Sequence, residues 1–546
     1  MATTTADADE NGPLKPAVKV SSAGWYALFL VSSAQAMSLL DRQILSILAP
    51  SIREDLQIGD AELGLLYGTV FSLFYALFSL PLGRLVDGWM RTRLLAICIA
   101  AWSFFAGLSA FATGFALLAV SRIGVGVGEG ATQPAANSII FDTFPREKRG
   151  TAMAALGIAT ALGLGLSMTL GGLVAHEWDE AYPGGGPGGF SGWQFAFIVA
   201  AAPGLVLAWL IWRMREPERG AMDGIRSPED PHPFKASANV LGAVTPGINW
   251  FYLWGRNAGA KQWGINLISL AVIVLVCRYM MGALQEYSPR PDTPLFGTSF
   301  NAHELQWFVV GFGAFVILNM FQSLKLTDRP TYNVVTSPSV LLLIVVAGLQ
   351  TSINYGVMGF TPSFLGREYG LDLAQTGVRF GLLAAALGLV GPVIAGPLSD
   401  WLTVRMGGRG RVWLTIFSLG VSPFAGIWTY SAVTESDFYL RFVVYSVILT
   451  LWLPPLYSLL YDIVLPRMRG LTSSICIIIT TLLGLGMGPY FVGIVSDKLK
   501  GDLGQAIISI NVVTPLIVII LFVILFRINR DEAQVLERAR AGGEAV

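Results

Sequence analysis

Apolar runs of membrane-spanning length recur along the chain and are separated by short charged or Gly- and Pro-rich breaks. Because about 20 consecutive apolar residues cross the hydrocarbon core as a helix, each run predicts a transmembrane helix. Six are predicted in the first part of the chain and six in the last, near 24–50, 61–82, 94–113, 115–143, 150–175, 194–213, 338–364, 374–399, 411–432, 438–465, 471–496 and 504–528. The pattern predicts an all-α membrane protein.

Two further apolar runs, 264–285 and 305–324, lie between the two groups. If both span, there are fourteen crossings, and the even number of extra crossings leaves the second group in the orientation of the first. The shorter, aromatic segment 240–256 predicts an interfacial helix. The predicted division is a disordered tail 1–20, an N-terminal six-helix bundle 21–216, a central linker 217–335 that carries the interfacial and extra helices, a C-terminal six-helix bundle 336–530 and a tail 531–546.

Positive charge alternates between the loops. Arginines and lysines follow every even-numbered span of the two groups, whereas the other loops are acidic or neutral, as at Glu54-Asp55 and Glu177–Glu180. Since cytoplasmic loops carry excess Lys and Arg, both termini are predicted to be cytoplasmic, in a bacterial-type inner membrane. The first 19 residues lack the basic-then-apolar pattern of a cleaved signal peptide, so the first span is expected to direct insertion.

Composition narrows the function classes. The chain is 53% hydrophobic and 13% charged, against about 25% charged in a soluble protein. Lys+Arg 36 balances Asp+Glu 36, so the charge predicts no nucleic-acid partner. No nucleophile–base pair or metal-ligand spacing is present, and His176, His232 and His303 are expected as isolated residues in polar loops. The sequence therefore predicts neither an enzyme nor a cofactor.

Two loop motifs occur twice. Gly83-Arg-Leu-Val-Asp87 after the second span returns as Gly396-Pro-Leu-Ser-Asp400 after the eighth, and a second motif follows the fourth and tenth spans, as Asp142…Arg149-Gly150 and Asp462…Arg469-Gly470. The repeat could reflect only the residues common at helix ends. A true duplication instead predicts two six-helix units around a midplane substrate site.

Four ionisable residues lie inside predicted spans: Asp41 and Arg42 in the first, Arg122 and Glu129 in the fourth. Such residues are costly in a membrane and usually mark a substrate, ion or proton path, although they could form buried salt bridges alone. At 1.5 Å per residue, Asp41, Arg42 and Arg122 fall in the outer half of the membrane and Glu129 near the midplane. Protonating Asp41 and Glu129 would leave two arginines to bind an anion, so the carboxyls are predicted proton carriers and Arg42 and Arg122 predicted substrate ligands.

Aromatic residues supply a candidate wall for the same site. Tyr355 in the seventh span and Trp452 in the tenth are predicted to contact substrate, although ordinary helix packing explains aromatic residues equally well. Charges on one wall and aromatic rings on the other suit an amphipathic ligand.

The first loop motif resembles a known family. Gly83-Arg-Leu-Val-Asp87-Gly-Trp-Met-Arg91-Thr-Arg93 is similar to the loop after the second span of the major facilitator superfamily, and Gly396–Asp400 lies where that family has its second copy. The resemblance implies alternating access, with Gly83, Asp87, Arg91 and Asp400 as a gating motif. Asp87 would pair with a loop arginine or cap the eleventh span around Gly470–Thr472.

Within the superfamily, Leu40-Asp41-Arg42 and Arg122…Glu129 most resemble the Spinster group, whose members carry lysolipids and sphingosine-phosphate-type lipids. We therefore expect a monomeric, proton-coupled transporter of an amphipathic anion, with protons and membrane lipids as its other partners. The alternatives are a transporter of small organic anions such as sugar acids, and a membrane sensor that binds a ligand without moving it.

Overall fold

Helices make up nearly all of the computed structural model, which describes residues 19–58, 71–225, 230–290, 292–295, 298–371 and 373–544. Residues 1–18 of the predicted disordered tail 1–20 lie outside the described residues. The start of the predicted second span, 61–70, also lies outside them. Side-chain caps fix several helix starts. Ser21 accepts a hydrogen bond from the Gly24 amide, and Asn301 forms a capping box with Glu304.

The helices fall into two groups and a connecting segment. The N half contains α1 Ser22–Leu56, α2 Phe71–Gly88, α3 Arg91–Leu108, α4 Phe115–Glu129, α5 Thr132–Thr143, α6 Arg149–Ala181 and α7 Gly192–Arg213. The connecting segment contains α8 Pro233–Val244, α9 Ile248–Gly255, α10 Ala260–Tyr287, the antiparallel strands β1 Asp292–Leu295 and β2 Thr298–Asn301, α11 Ala302–Thr327 and α12 Arg329–Val335. The C half contains α13 Pro338–Tyr369, α14 Leu373–Met406, α15 Gly408–Tyr430, α16 Glu435–Thr450, α17 Leu453–Asp462, α18 Arg469–Ile479, a π-helix Thr480–Gly486, α19 Met487–Lys498, α20 Leu503–Ser509 and α21 Thr514–Ala533, followed by α22 Val535–Ala541. Short 3-10 turns occupy Ser109–Phe111, Arg146–Lys148, Pro187–Gly189, Pro466–Met468 and Ile510–Val513.

Twelve helical segments of the described chain are long and apolar enough to cross a membrane. They include α10 and α11, which are the predicted extra pair. Helices α2 and α14 lie where the second and eighth spans were predicted. The predicted all-helical membrane fold, with two six-helix bundles and an extra helix pair, is confirmed.

The fourth and tenth spans are each broken into two helices, whereas the sequence predicted continuous ones. The breaks fall at Gly130-Ala131 and Leu451-Trp452. Pro134 follows the first break and Pro454-Pro455 the second, and a proline has no amide to bond the carbonyl four residues earlier. The two breaks occupy corresponding positions in the repeat.

The predicted interfacial segment 240–256 also differs from expectation, because it forms parts of two helices, α8 and α9. Thr245 is extended, as the residue before a proline is expected to be, and Gly247 has φ +87°. The Thr245-Pro246-Gly247 turn therefore ends α8 and redirects the chain.

The two halves meet most closely where glycines oppose each other. A Cβ atom on Gly83 of α2 would lie 2.8 Å from the Gly470 carbonyl oxygen of α18, and one on Gly150 of α6 would lie 2.8 Å from the Gly396 carbonyl oxygen of α14. These crossings lie at the end of the molecule that we name the arginine-rich face, formed by Arg84, Arg91, Arg146, Arg149, Arg411, Arg467 and Arg469. Only glycine permits backbones to approach so closely.

Candidate functional site

Arg42 and Glu129 form the central ion pair of the candidate site. The Arg42 Nε donates to Glu129 Oε2 at 2.6 Å, and the Ser38 hydroxyl donates to the same oxygen at 2.7 Å. Glu129 is the last residue of α4, where the helix dipole disfavours a negative charge. The nearby guanidinium and hydroxyl offset that effect, so the pair joins α1 to α4.

Arg122 bonds to polar groups other than the carboxylates. Its Nη1 donates to the Asp41 carbonyl oxygen at 3.3 Å and its Nη2 to the Ser109 hydroxyl at 3.0 Å, while its guanidinium lies 5.4 Å from the Phe197 ring centroid. The Asp41 side chain is buried near Arg122 and Trp102. Within the described residues, neither Asp41 carboxylate oxygen accepts a hydrogen bond. The structure thus brings all four predicted residues together, with Asp41 as the carboxylate that lacks hydrogen-bond donors.

Arg42 also faces open space between the halves. Its guanidinium lies 4.8 Å from the Phe71 ring centroid and 4.3 Å from that of Tyr75, and its side chain remains 25% exposed. Tyr355 approaches Arg42 and Tyr75 from the C half and is 40% exposed. Both side chains are exposed although they lie inside the predicted first and seventh spans. Their exposure indicates a solvent-accessible space between the two halves.

Trp452 is not exposed to the space between the halves in this conformation. Its side chain is buried, with its ring centroid 6.2 Å from that of Tyr457. It is the second residue of the break in the tenth span, as Ala131 is in the fourth. A contact between Trp452 and substrate stays a prediction.

The glycines between Arg122 and Glu129 accommodate neighbouring helices. A Cβ atom on Gly126 would lie 3.0 Å from the Phe71 carbonyl oxygen, and one on Gly128 would lie 2.8 Å from the Trp102 Cβ. The glycines therefore bring α4 against α2 and α3, and this packing positions Glu129 beside Arg42.

The two copies of the loop motif make equivalent contacts across the halves. Asp87 accepts hydrogen bonds from the amides of Gly470 and Leu471, at 2.7 and 2.8 Å. Asp400 accepts from the amides of Gly150 and Thr151, at 2.7 and 2.8 Å. Each carboxylate thus caps the first turn of a helix in the opposite half, where the helix dipole favours negative charge.

A buried cluster of arginines and aspartates surrounds these caps. Asp142 pairs with Arg91 of its own half and, at 3.2 Å, with Arg469 of the C half. Asp462 correspondingly pairs with Arg411 of its own half and, at 2.6 Å, with Arg149 of the N half. Apart from Arg91, sequence reasoning gave these residues no part in gating. The signal was the second duplicated motif, which contains both aspartates and the two arginines that cross.

Hydrogen bonds deeper in the molecule extend this closure. The Asn137 amide donates to the Tyr461 hydroxyl at 2.9 Å and to the Ser473 hydroxyl at 3.0 Å, and the Ser474 hydroxyl donates to the Ser79 carbonyl at 2.6 Å. Each of these bonds joins the N half to the C half. The structure is therefore closed at the arginine-rich face.

His303 corrects one expectation from the sequence. It is buried at the start of α11 instead of lying in a polar loop. Its Nδ1 lies 2.6 Å from the Tyr490 hydroxyl and its Nε2 2.9 Å from the Ser288 carbonyl oxygen, so it ties the extra helix pair to α19. Across the residues that the structure covers, no three His, Cys, Asp or Glu side chains are placed to hold a metal ion.

Comparisons with known proteins place this geometry in context. An "MFS-type efflux pump" of Mycolicibacterium smegmatis is 23% identical over 501 residues, which are 92% of this chain and 89% of that protein. A hexuronate transporter of Bacillus subtilis is 30% identical over 33% of the chain, and the protein spinster of Drosophila melanogaster is 27% identical over 38%. These two shorter matches span 39% and 32% of the relatives' own lengths.

Among solved structures, a bacterial homologue of the human lysosomal transporter Spinster shares the fold, with a TM-score of 0.50 and 20% identity over 96% of this chain and 98% of that one. The similarity to Spinster proteins is thereby confirmed, in sequence over about a third of the chain and in fold over nearly all of it. The Major Facilitator Superfamily profile matches residues 31–489. The chain therefore belongs to the Major Facilitator Superfamily, whose members are transporters and not enzymes.

Proposed function

We propose that this chain is a proton-coupled secondary transporter of an amphipathic anion, such as a lysolipid. Asp41 and Glu129 carry the proton, and Arg42 and Arg122 bind the anionic group. The arginine-rich face is the cytoplasmic side of a bacterial inner membrane, and both termini lie on that side. The single observation that carries the proposal is the buried Asp41 carboxylate, which accepts no hydrogen bond within the described residues although Arg122 and Trp102 lie near it.

The coupling follows from the cost of buried charge. An ionised carboxylate that is buried without donors costs several kcal/mol, and binding a proton removes that cost. Protonation of Glu129 breaks its ion pair with Arg42 and frees the guanidinium for a substrate anion. Proton binding and anion binding then favour each other, and this linkage is reciprocal.

The surroundings of Arg42 support an amphipathic substrate. Phe71 and Tyr75 flank the guanidinium, and Tyr355 faces it from the other half. An anionic head group bound at Arg42 would thus be next to aromatic surface that suits a hydrocarbon chain.

A small organic anion, such as a sugar acid, is the second candidate. It is favoured by the 30% identity to a hexuronate transporter over 179 residues. The arginines would bind a sugar acid equally well, so the two candidates differ in whether the substrate needs an apolar chain.

Proton flux into proteoliposomes tests the proposal. Purified wild type is compared with Asp41→Asn and Glu129→Gln while a lysophosphatidate or a hexuronate is added. We expect substrate-dependent acidification that both variants abolish, with folding retained. Asp55→Asn is the matched control, because Asp55 belongs to α1 but accepts a hydrogen bond from Trp193, away from the site.

The outcomes separate the alternatives. Flux with hexuronate alone selects the second candidate. If the pH dependence of the proton flux is unchanged in both site variants, Asp41 and Glu129 are not the proton carriers. The absence of flux with either anion contradicts the proposal and favours a sensor.

A further inference from the structure

The central linker supplies two carboxylates that are shared between the halves. Asp223 accepts hydrogen bonds from Arg149 of the N half at 2.7 Å and from Arg469 of the C half at 2.5 Å. Asp328 lies 3.4 Å from the Arg84 Nη1 of the N half and 3.1 Å from the Arg467 Nη1 of the C half. Asp223 lies in the linker segment that follows the N half, and Asp328 lies in the segment that precedes the C half. Each segment thus joins an arginine from one half to an arginine from the other.

Charge balance makes Asp223 important. Four buried arginines meet at the interface. Among the described residues, the carboxylates that the halves supply to them are Asp142, Asp462 and, at 4.0 Å from Arg411, Asp400. These arginines are Arg91, Arg149, Arg411 and Arg469. Asp223 and the adjoining Glu216, which binds Arg91 at 2.6 Å, add two negative charges. Without Asp223, Arg149 would keep Asp462, which it shares with Arg411, and Arg469 would keep Asp142, which it shares with Arg91. The excess positive charge would lie on opposite halves, and like charges repel strongly where water is excluded.

We propose that the central linker is a brace for the closed arginine-rich face, with Asp223 and Asp328 as positioning residues that hold the two halves together. Opening of this face requires both shared carboxylates to release one half. The linker therefore sets the fraction of molecules in which this face is open. This inference concerns conformation and depends on neither the substrate nor the proton.

Both carboxylates are charged at neutral pH. Burial alone would raise the pKa of Asp223, but the Arg469 and Arg149 guanidiniums lower it below the ordinary value. The pKa of Asp328 is lowered in the same way, because Arg467 outweighs the effect of burial. The two bridges are therefore present under physiological conditions.

A third linker carboxylate provides a matched control. Asp230 lies 3.2 Å from the Arg84 Nη2 and accepts a hydrogen bond from the His232 amide at 2.9 Å. Its described partners belong to the N half and the linker. Asp230→Asn removes the same charge from the same segment without removing a bridge.

Pulsed electron paramagnetic resonance tests the brace. Spin labels are attached at Lys148→Cys of the N half and Arg409→Cys of the C half, both exposed positions at the arginine-rich face. The native Cys98, Cys277 and Cys476, which are buried, are replaced by alanine in this background. The full-length protein is then measured in lipid nanodiscs as wild type, Asp223→Asn, Asp328→Asn and Asp230→Asn.

We expect Asp223→Asn to raise the ratio of open to closed molecules roughly tenfold, within the usual range for coupling between sites. Asp328→Asn should have a smaller effect, because the Arg84 and Arg467 side chains are 19% and 14% exposed whereas Arg149 and Arg469 are each 1% exposed. Asp230→Asn should leave the ratio unchanged. Asp223→Glu, which retains the charge, should restore part of the closed population.

The inference is overturned if Asp223→Asn and Asp328→Asn keep the wild-type distance distribution, or if Asp230→Asn shifts it equally. Thermal unfolding of each variant shows whether the protein is folded. If Asp223→Asn does not fold, the comparison of Asp328→Asn with Asp230→Asn decides the question alone.

Discussion

Arg42 and Arg122 use their guanidinium groups differently, although both lie near Glu129. Arg42 pairs with Glu129, stacks on aromatic rings and remains partly exposed. Arg122 is 2% exposed and donates to a backbone carbonyl and a hydroxyl. Arg42 is therefore the more accessible of the two guanidiniums, and Arg122 also holds the backbone carbonyl of Asp41.

At the residue scale, Arg42→Lys should weaken substrate binding more than it slows turnover. Lysine keeps the charge but lacks the planar guanidinium, so it loses the stacking on Phe71 and Tyr75. We expect the KM for the transported anion to rise roughly tenfold, from a loss of about 1.4 kcal/mol. Initial uptake rates in proteoliposomes measure KM and kcat separately.

Arg93→Lys is the control for this prediction. Arg93 also stacks on an aromatic ring, with its guanidinium 4.1 Å from the Trp212 centroid, but it lies at the arginine-rich face outside the site. If KM rises equally in both variants, the loss of stacking lowers the stability of the whole protein and does not act through the substrate site.

At the element scale, two helix crossings hold the halves in contact. Helix α2 meets α18 at Gly83 and Gly470, and α6 meets α14 at Gly150 and Gly396. At each crossing an aspartate four residues after one of the two glycines, Asp87 after Gly83 and Asp400 after Gly396, reaches the amides at the start of the opposite helix. The glycine allows the two helices to approach closely, and this approach brings the aspartate within hydrogen-bonding distance of the amides. The four-residue spacing in Gly83–Asp87 and Gly396–Asp400 therefore has a direct physical role.

Gly83→Val should therefore open the arginine-rich face. A Cβ atom alone would contact the Ser474 side chain and the Gly470 carbonyl, so the two helices must separate. The spin-label pair at Lys148 and Arg409 should report longer distances. Gly264→Val in α10 is the control, because a Cβ atom there meets no atom within 4 Å. Unchanged distances in Gly83→Val would exclude this crossing as a determinant of closure.

The closed face is nearly symmetric at the scale of the whole molecule. Asp142 and Asp462 each pair with arginines from both halves, as two copies of one unit should. Asp223 and Asp328 break the symmetry, because the linker is present only once. One connecting segment thus acts on an interface that both repeats build equally.

Closure should not weaken near neutral pH and should be lost in acid. The pKa of Asp223 and that of Asp328 are lowered, so each contributes fully above its ordinary pKa of about 3.9 and less as pH falls through its depressed value. Asp87 acts in the opposite direction, because burial in the closed interface raises its pKa to about 6 and protonation there favours the closed state. Label distances should therefore not lengthen between about pH 8 and about pH 5 and should lengthen only below about pH 4. Longer distances near pH 6 would mean that other groups control the interface.

The sequence by itself determined the helical membrane fold, the extra helix pair and the candidate site. Hydrophobic length is a local property, and the lipid interior forces each long apolar run to satisfy its backbone within a helix. The cost of ionisable residues in lipid likewise singled out Asp41, Arg42, Arg122 and Glu129. The family resemblance placed Asp87 against the eleventh span, where it caps Gly470 and Leu471.

Only the tertiary structure decided which groups pair. Arg42 binds Glu129, 87 residues away, and not its neighbour Asp41, and Arg149 binds Asp462, 313 residues away. The burial of Trp452 and the bridges from Asp223 and Asp328 were also absent from the local pattern. A sequence pattern fixes the element and depth of a side chain, but its partner depends on how distant helices cross, and that is set by packing across the whole molecule.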